Sequence, residues 1–373
     1  MIYLDYNAST PVDPAVREAM LPYLDRYYGN PSSGHVLGKH ERGAVETARA
    51  QVADLLGASP SEIVFTSGGT ESNNHVIKGV AFAPRDRGNH IIVSKVEHPS
   101  VLNPCRFLER QRFEVSYVDV DSTGRVDPQA IIEEIRPTTI LISVMHANNE
   151  VGTLQPIAEI AEIAREAGVW LHTDAAQSCG KIETRVDRLG VDFLTIAGHK
   201  VYAPQGIGAL YIRNGIKIEP LNHGAGHQSG RRSGTEPVAL IVALGAAAEL
   251  AARRTNDEAR LRTLRDRLHD ALTGALGDDA VRLGNPQAGL PNTLSMGFRG
   301  RMAGDLLAAC PDLCASPGAA CHSGKHEPSA VLAAMNVPEE IALGAIRFSV
   351  GRSTTEAEID SAARMVVAAV RKS

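Results

Sequence analysis

Two residues of this 373-residue chain set the chemistry to look for. Asp174 stands in His172-Thr173-Asp174-Ala175-Ala176-Gln177, at the end of an apolar run. Lys200 stands in Gly198-His199-Lys200, just after the next one. A carboxylate and a lysine at the ends of successive strands suit pyridoxal 5'-phosphate (PLP). The amine forms a Schiff base with the cofactor, and the carboxylate keeps the pyridine nitrogen protonated. A solvated surface position is the commoner fate of a lysine, and a turn carboxylate often only caps a helix. Here Ala175 and Ala176 are small enough to let a flat ring approach, and Gln177 offers a donor to a ring oxygen. Burial near the loop-like Tyr202–Gly208 stretch would lower the pKa of Lys200 and activate its amine.

A third motif supplies an anion site. Ser67-Gly68-Gly69-Thr70-Glu71-Ser72-Asn73 follows the apolar Ile63–Thr66 and precedes a helical pattern. Glycines let backbone N–H groups approach a phosphate, and a helix N-terminus favours the negative charge. Thr70 adds a hydroxyl, and His199 can reach the phosphate or orient the lysine.

These residues need a frame that brings strand ends together. From about residue 60 to 212, short apolar runs alternate with amphipathic segments. The runs are Ile63–Phe65, Ile91–Val93, Val115–Val118, Ile140–Val144, Val169–His172, Phe193–Ile196 and Ala209–Ile212. Continuous apolar strands separated by helices predict an α/β fold with a mostly parallel sheet covered on both faces. Ligands of such sheets sit where strands end and helices begin. Beyond Tyr211 the pattern changes. Val238–Ala252 reads as a buried helix, Asp257–Leu276 as a charged helix, and Thr293–Phe298 and Ala345–Ser349 as strands of a smaller α+β domain. Thr355-Glu356-Ala357-Glu358 is a capping box opening the last helix. The division expected is a large domain over 15–256 and a small one formed by 1–14 and 257–373.

Composition narrows the function classes. With 43% hydrophobic and 22% charged residues and a net charge of −5, the chain has no basic excess to recruit nucleic acid or anionic membrane. No apolar run reaches the length of a membrane span, and the N-terminus lacks a basic, apolar export signal. The five cysteines (Cys105, Cys179, Cys310, Cys314, Cys321) are odd in number and sparse, which predicts a reducing cytoplasm rather than a disulfide framework. Cys310 and Cys314 lie near each other without a His/Cys pair at zinc spacing, so no metal site is expected.

Taken in order, the motifs resemble those of the cysteine desulfurases, class V members of the fold-type I PLP enzymes. The likeness rests on Tyr3-Leu4-Asp5-Tyr6-Asn7-Ala8-Ser9-Thr10-Pro11, Gly29-Asn30-Pro31-Ser32-Ser33, Thr66–Asn74, Glu97-His98, Ala147–Gly152, the Asp174 and Lys200 stretches, and Arg232-Ser233-Gly234-Thr235. It implies that Lys200 is the Schiff-base lysine, that Asp174 pairs with the pyridinium nitrogen, and that His98 stacks on the ring and shuttles protons. Asn149 and Gln177 would bond the ring substituents. Gly69, Thr70 and His199 would hold the phosphate, with Thr235 reaching it from a second subunit, which implies a homodimer with shared active sites. Arg347 would clamp the substrate carboxylate, for which a guanidinium is suited by bidentate geometry, and Asn7 would lie near the substrate. Read without the resemblance, His98 could be a structural histidine and Arg347 a surface salt-bridge partner. Many relatives have serine where this chain has Ala197, so one phosphate contact is in question.

The last candidate is Cys321, in Ala315-Ser316-Pro317-Gly318-Ala319-Ala320-Cys321-His322-Ser323-Gly324. This small-residue stretch fits neither helix nor strand and predicts a mobile loop, where a cysteine can be accessible and partly thiolate. The resemblance makes Cys321 the catalytic cysteine, with Glu327-Pro328-Ser329 at the spacing of the long-loop subgroup. The implied reaction starts when L-cysteine displaces Lys200 from PLP. Lys200 then takes the α-proton, the Cys321 thiolate attacks the substrate sulfur to become a persulfide, and alanine leaves. An iron–sulfur scaffold or a tRNA-thiolation protein would accept the sulfur. The Cys321 and Ser349–Thr355 stretches, with Ala197, also resemble selenocysteine lyase, whose substrate is L-selenocysteine. A class V aminotransferase and a non-catalytic platform for sulfur-carrier partners remain further readings.

Overall fold

The computed structural model describes residues 1–83, 88–254, 257–322 and 325–372, without the side chains of 319–326. After β1 (Ile2–Tyr3) the chain builds one large sheet from β2 (Ile63–Thr66), β3 (His90–Ser94), β4 (Glu114–Val118), β5 (Thr139–Ser143), β6 (Trp170–Asp174), β7 (Phe193–Ala197) and β8 (Gly208–Ile212). Their order is β2-β8-β7-β6-β5-β3-β4. The run from β4 to β7 is parallel, and β8 lies antiparallel between β7 and β2.

β2, β3, β5, β7 and β8 are buried along their whole length because successive side chains enter different cores. In β3, Ile91 and Val93 enter one cluster and Ile92 the other; in β8, Leu210 and Ile212 oppose Ala209 and Tyr211. The helices Gly69–Phe82 and Pro99–Glu109 cover the first face, and Val36–Leu56, Ile157–Glu166 and Val238–Arg253 cover the second. Val36–Leu56 and Val238–Arg253 approach closely at Gly245, where a Cβ would stand 2.6 Å from the Ala48 Cα.

A second sheet, in the order β12-β15-β10-β9, is antiparallel. It uses β9 (Ala280–Leu283), β10 (Thr293–Phe298), β12 (Ser316–Pro317) and β15 (Ala345–Ser349), while β11 (Leu313–Cys314) pairs with β1. The helices Asp257–Leu276 and Glu356–Lys372 pack on it, and Ile2 and Leu4 join Leu268, Phe298, Phe348 and Ile359 in its core. The capping box before the last helix is reciprocal: Thr355 N–H donates to Glu358 Oε2 at 2.8 Å, and Glu358 N–H donates to Thr355 Oγ1 at 3.3 Å.

The stretch around Cys321 corrects the expectation of a loop. β13 (Ala319–His322) pairs with β14 (Lys325–Pro328), placing Cys321 opposite His326. The base of this hairpin is held at Gly318, whose N–H donates to Ala345 O at 2.7 Å and whose carbonyl accepts from Ser329 N–H at 3.0 Å. These long-range backbone bonds fix a pairing that small residues without alternation do not announce. The Cys321 side chain lies outside the described residues.

Candidate active site

A cavity of about 420 Å³ opens where β6 and β7 end and the helix Gly69–Phe82 begins. Asn7, Gly69, Thr70, His98, Asn149, Asp174, Gln177, His199, Lys200 and Arg347 all line it. Thr235, also singled out by the sequence, is exposed and stands apart from the cavity of its own chain, while the Cys321 backbone lies on β13 and its side chain is outside the described residues.

Lys200 follows β7 in a single helical turn, and its Nζ donates to Ala8 O at 2.8 Å and to Asn7 O. Burial pushes its pKa down to about 8; the Arg347 charge adds to this, while Asp5 and Asp174 oppose it. Asp174 ends β6 and is buried. Its Oδ2 accepts from Asn73 Nδ2 at 2.7 Å, and its Oδ1 accepts from Ala176 N–H at 2.9 Å. His98 caps the helix Pro99–Glu109 through Nδ1, which accepts from Ser100 N–H at 3.1 Å and lies 2.7 Å from Ser100 Oγ. His98 is therefore a structural cap that also lines the cavity.

At the anion end, Gly68 takes φ +149°, a conformation that side-chain-bearing residues rarely adopt, and turns the chain into the 14-residue helix Gly69–Phe82. The unpaired N–H groups of its first turn and its dipole favour negative charge. Ala197 is close by: a Cβ on Gly69 would lie 3.4 Å from the Ala197 Cβ. His199 is pushed down to about 4 by burial and the Lys200 charge. Glu71, in the first turn, receives Arg232 Nε at 2.8 Å, which ties the Arg232–Thr235 stretch to this helix.

The opposite end is built by β15. Ile346 and Phe348 point into the core of the second sheet, so the period of two sends Arg347 to the other face. Its Nη1 donates to Asn149 O at 2.9 Å, and its Nη2 donates to Asp5 Oδ1 at 2.7 Å and Ser316 Oγ at 2.9 Å. Its Nε is buried without a hydrogen-bond partner among the described residues. Arg347 is thus a salt-bridge residue, but the bridge stands at the cavity wall.

The family model for class-V aminotransferases matches residues 2–361. The chain belongs to the class-V aminotransferase family. Within it, the chain is 49% identical over 364 residues to the cysteine desulfurase IscS of Dictyoglomus turgidum, covering 96% of this chain and 92% of that protein. It is 47% identical over 376 residues to the cysteine desulfurase IscS of Methanosarcina thermophila, covering 100% of this chain and 92% of that one. Among solved structures, a NifS-like protein superposes with a TM-score of 0.93 at 37% identity, with both chains covered in full.

Three polar residues of this class-V chain escape sequence reasoning as site components. Asn73 and Ser100 link Asp174 to His98. Lys181 is half-buried and donates through Nζ to Gln177 Oε1 at 3.1 Å and to Asn7 Oδ1 at 3.2 Å. Because Oε1 receives Lys181, the Gln177 Nε2 group is directed to Asn7 O, at 3.0 Å. The only local signal was that Asn73 and Ser100 lie within a few residues of Thr70 and His98; Lys181 carried none.

Proposed function

We propose that the chain is a PLP-dependent cysteine desulfurase that converts L-cysteine to L-alanine and receives the sulfur on Cys321 as a persulfide. One observation carries the reading: Lys200, Asp174, the first turn of the Gly69–Phe82 helix and Arg347 converge on one cavity. The relatives at 47–49% identity are named cysteine desulfurases, and a further solved relative, covering 94% of this chain with a TM-score of 0.84 at 38% identity, is SspA in complex with cysteine. These names favour L-cysteine over L-selenocysteine and over an aminotransferase substrate.

The residues present fit PLP. Gly69, Thr70 and His199 surround the helix N-terminus, where a phosphate would be held. Asp174 would face the pyridinium nitrogen, with Asn149 and Gln177 at the ring substituents and His98 against the ring. Lys200 would be the covalent anchor. When bound, PLP supplies an electron-poor ring that accepts the charge left by a departing α-proton.

The chain's own residues supply the rest. Arg347, at the cavity wall with an Nε that has no partner among the described residues, would hold the substrate carboxylate. Asn7 lies beside it at the substrate end, since its Nδ2 donates to Asn149 O, the carbonyl that also accepts from Arg347. Lys200 Nζ, with its pKa lowered to about 8, is free enough of its proton near neutrality to remove the α-proton. The Cys321 thiolate attacks the substrate sulfur, so that the Cβ–S bond breaks as the S–S bond forms. L-Cysteine and the Cys321 thiol thereby give L-alanine and the persulfide, without an external oxidant or reductant. Ser316, which bonds Arg347 and Asp5, lies just before the hairpin that bears Cys321.

The same reading gives a homodimer in which Thr235 completes the phosphate site of the second subunit, a cytoplasmic setting, and a protein acceptor for the sulfur. The 15–256 division, with 1–14 and 257–373 as a second domain, is supported by the shared core of Ile2, Leu4 and the C-terminal helices. The test is alanine release from L-cysteine and from L-selenocysteine by the PLP-loaded protein and its Cys321→Ala variant. The expected result is alanine from L-cysteine with one extra sulfur on Cys321 by mass spectrometry, both lost in Cys321→Ala. Full turnover of L-cysteine by that variant, or activity confined to L-selenocysteine, would overturn the proposal.

A further inference from the structure

The geometry points to Asn73 and Ser100 as positioning residues that hold the His98 ring neutral, with its proton on Nε2. The inference builds on the proposed site, since it concerns the ring placed against the cofactor. Three contacts connect the groups: Asp174 Oδ2 to Asn73 Nδ2 at 2.7 Å, Asn73 Nδ2 to Ser100 Oγ at 2.8 Å, and Ser100 Oγ to His98 Nδ1 at 2.7 Å.

The hydrogen directions in this row follow from its two fixed ends, the Asp174 carboxylate and the Ser100 backbone N–H. A carboxylate only accepts, so the Asn73 amide must turn its NH2 toward Asp174. The flipped amide would put Oδ1 against a carboxylate oxygen. The preference holds although Asn73 Oδ1 is left buried without a partner among the described residues. The second Nδ2 hydrogen then goes to Ser100 Oγ, which accepts it and has its own hydrogen left for His98 Nδ1. Ser100 N–H, which can only donate, also points at Nδ1, at 3.1 Å. A proton on Nδ1 would meet the Ser100 N–H head on and would force the hydroxyl to turn its own hydrogen away. The ring is therefore an acceptor at Nδ1 and carries its hydrogen at Nε2.

The consequence reaches the reaction. An imidazolium needs hydrogen on both nitrogens, and the row opposes the one at Nδ1. Two charged groups face the ring from other elements: Asp174 at the end of β6 favours the imidazolium, and Lys200 after β7 disfavours it. Burial is the largest influence and also lowers the pKa of His98. His98 thus presents a fixed N–H donor, which leaves removal of the α-proton to Lys200 rather than to this ring.

The test is ring-¹⁵N NMR of the histidine-labelled holoenzyme, with the His98 signals identified by their loss in His98→Gln. In the wild type, Nδ1 should resonate as the unprotonated nitrogen and Nε2 as the protonated one. Ser100→Ala keeps the backbone donor but removes the hydroxyl, so the imidazolium fraction at a fixed pH above the midpoint should rise about tenfold. Asn73→Ala, which frees the hydroxyl to turn, should move it the same way. A wild-type ring protonated at Nδ1, or a titration unmoved by both substitutions, would overturn the inference. Failure of the desulfurase reading would show separately, as no alanine release by a wild type whose ring still titrates as described.

Discussion

The Arg347 guanidinium and the Asp5 carboxylate form an ion pair at 2.7 Å, at the wall of the cavity rather than on the outer surface. Asp5 takes Nη2 together with Ser316, Asn149 takes Nη1, and Nε is left over. The fixed contacts set the plane of the guanidinium before substrate arrives, which lowers the entropy lost on binding.

Substrate binding should therefore depend on the fork of Arg347 more than on its charge. In Arg347→Lys the charge survives and the planar geometry does not. A lost charged hydrogen bond is worth about 1.5–3 kcal/mol, which predicts a KM for L-cysteine raised about 10- to 100-fold, with a smaller change in kcat. Asp5→Asn should raise KM less, because Asn149 and Ser316 still hold the plane. An unchanged KM in Arg347→Lys would remove Arg347 from the substrate site.

Lys181 carries a second prediction. No acidic side chain pairs with it among the described residues, and its Nζ is held by the Gln177 and Asn7 amide oxygens. Burial lowers its pKa to about 7; the Lys200 and Arg347 charges add to this, and Cys179 opposes it. Between about pH 7 and its ordinary value of 10.5, the unfolded chain holds a proton that the native state has released. The unfolded state binds more protons there, so this group makes stability rise with pH across that window and fall as pH drops through 7. Lys181→Met should flatten that rise in denaturant titrations at pH 6.5 and 9. It should also weaken PLP binding, because Gln177 loses the contact that orients its amide. A variant with the wild-type pH slope and PLP affinity would show that the lysine is idle.

How much of this the sequence announced depends on the range of the interaction. The seven apolar runs became β2 to β8 because a strand covered on both faces buries successive side chains in different cores, although the edge strand β4 stays half-exposed and opens on Glu114. The Thr355/Glu358 box was legible because both of its bonds are local. The placement of Asp174 and Lys200 at strand ends beside one cavity was legible because each follows an apolar run. The sheet order, with β8 inserted antiparallel beside β2, was not legible, since pairing is decided by packing between distant segments. Asn73 closes the Ser67–Asn73 motif with no local sign of its partner, because Asp174 lies 101 positions away. The Cys321 stretch was read as a loop because Gly318 is anchored to Ala345, a contact that no local pattern encodes.

Glu97 gives a prediction on folding rather than turnover. It is fully buried beside His98; its Oε1 accepts from Ser94 Oγ at 2.6 Å and Met145 N–H at 2.8 Å, and its Oε2 has no partner among the described residues. Burial pushes its pKa up to about 8; the Ser94 and Met145 bonds oppose this, and the Asp174 charge adds to it. Its folded value lies above the unfolded one, so its contribution is fully present below about 4.5 and is lost as pH rises toward 8. The slope is at most about 1.4 kcal/mol per pH unit. Glu97→Gln keeps the shape without the charge, so its stability relative to wild type should improve steadily from pH 5 to pH 8. Parallel curves for the two proteins would show that the carboxyl ionises without penalty.

Ala197 offers the most direct test of the anion end. It closes β7, lines the cavity, and lies against the glycine that opens the Gly69–Phe82 helix. As it stands, the phosphate of PLP would be met there by Gly69, Thr70, His199 and backbone N–H groups, with no hydroxyl from position 197. Ala197→Ser adds one hydroxyl at a buried wall without changing the strand. A hydrogen bond to a charged group in such a place is worth about 1.5 kcal/mol, or about a tenfold tighter PLP dissociation constant. Equilibrium dialysis against PLP, followed by the absorbance of the bound cofactor, measures this directly. Lys200→Ala, measured alongside, separates phosphate affinity from covalent attachment, and the gain from serine should persist in that background. If serine leaves the dissociation constant unchanged in both backgrounds, the hydroxyl does not reach the phosphate and the helix N-terminus holds it without help from position 197.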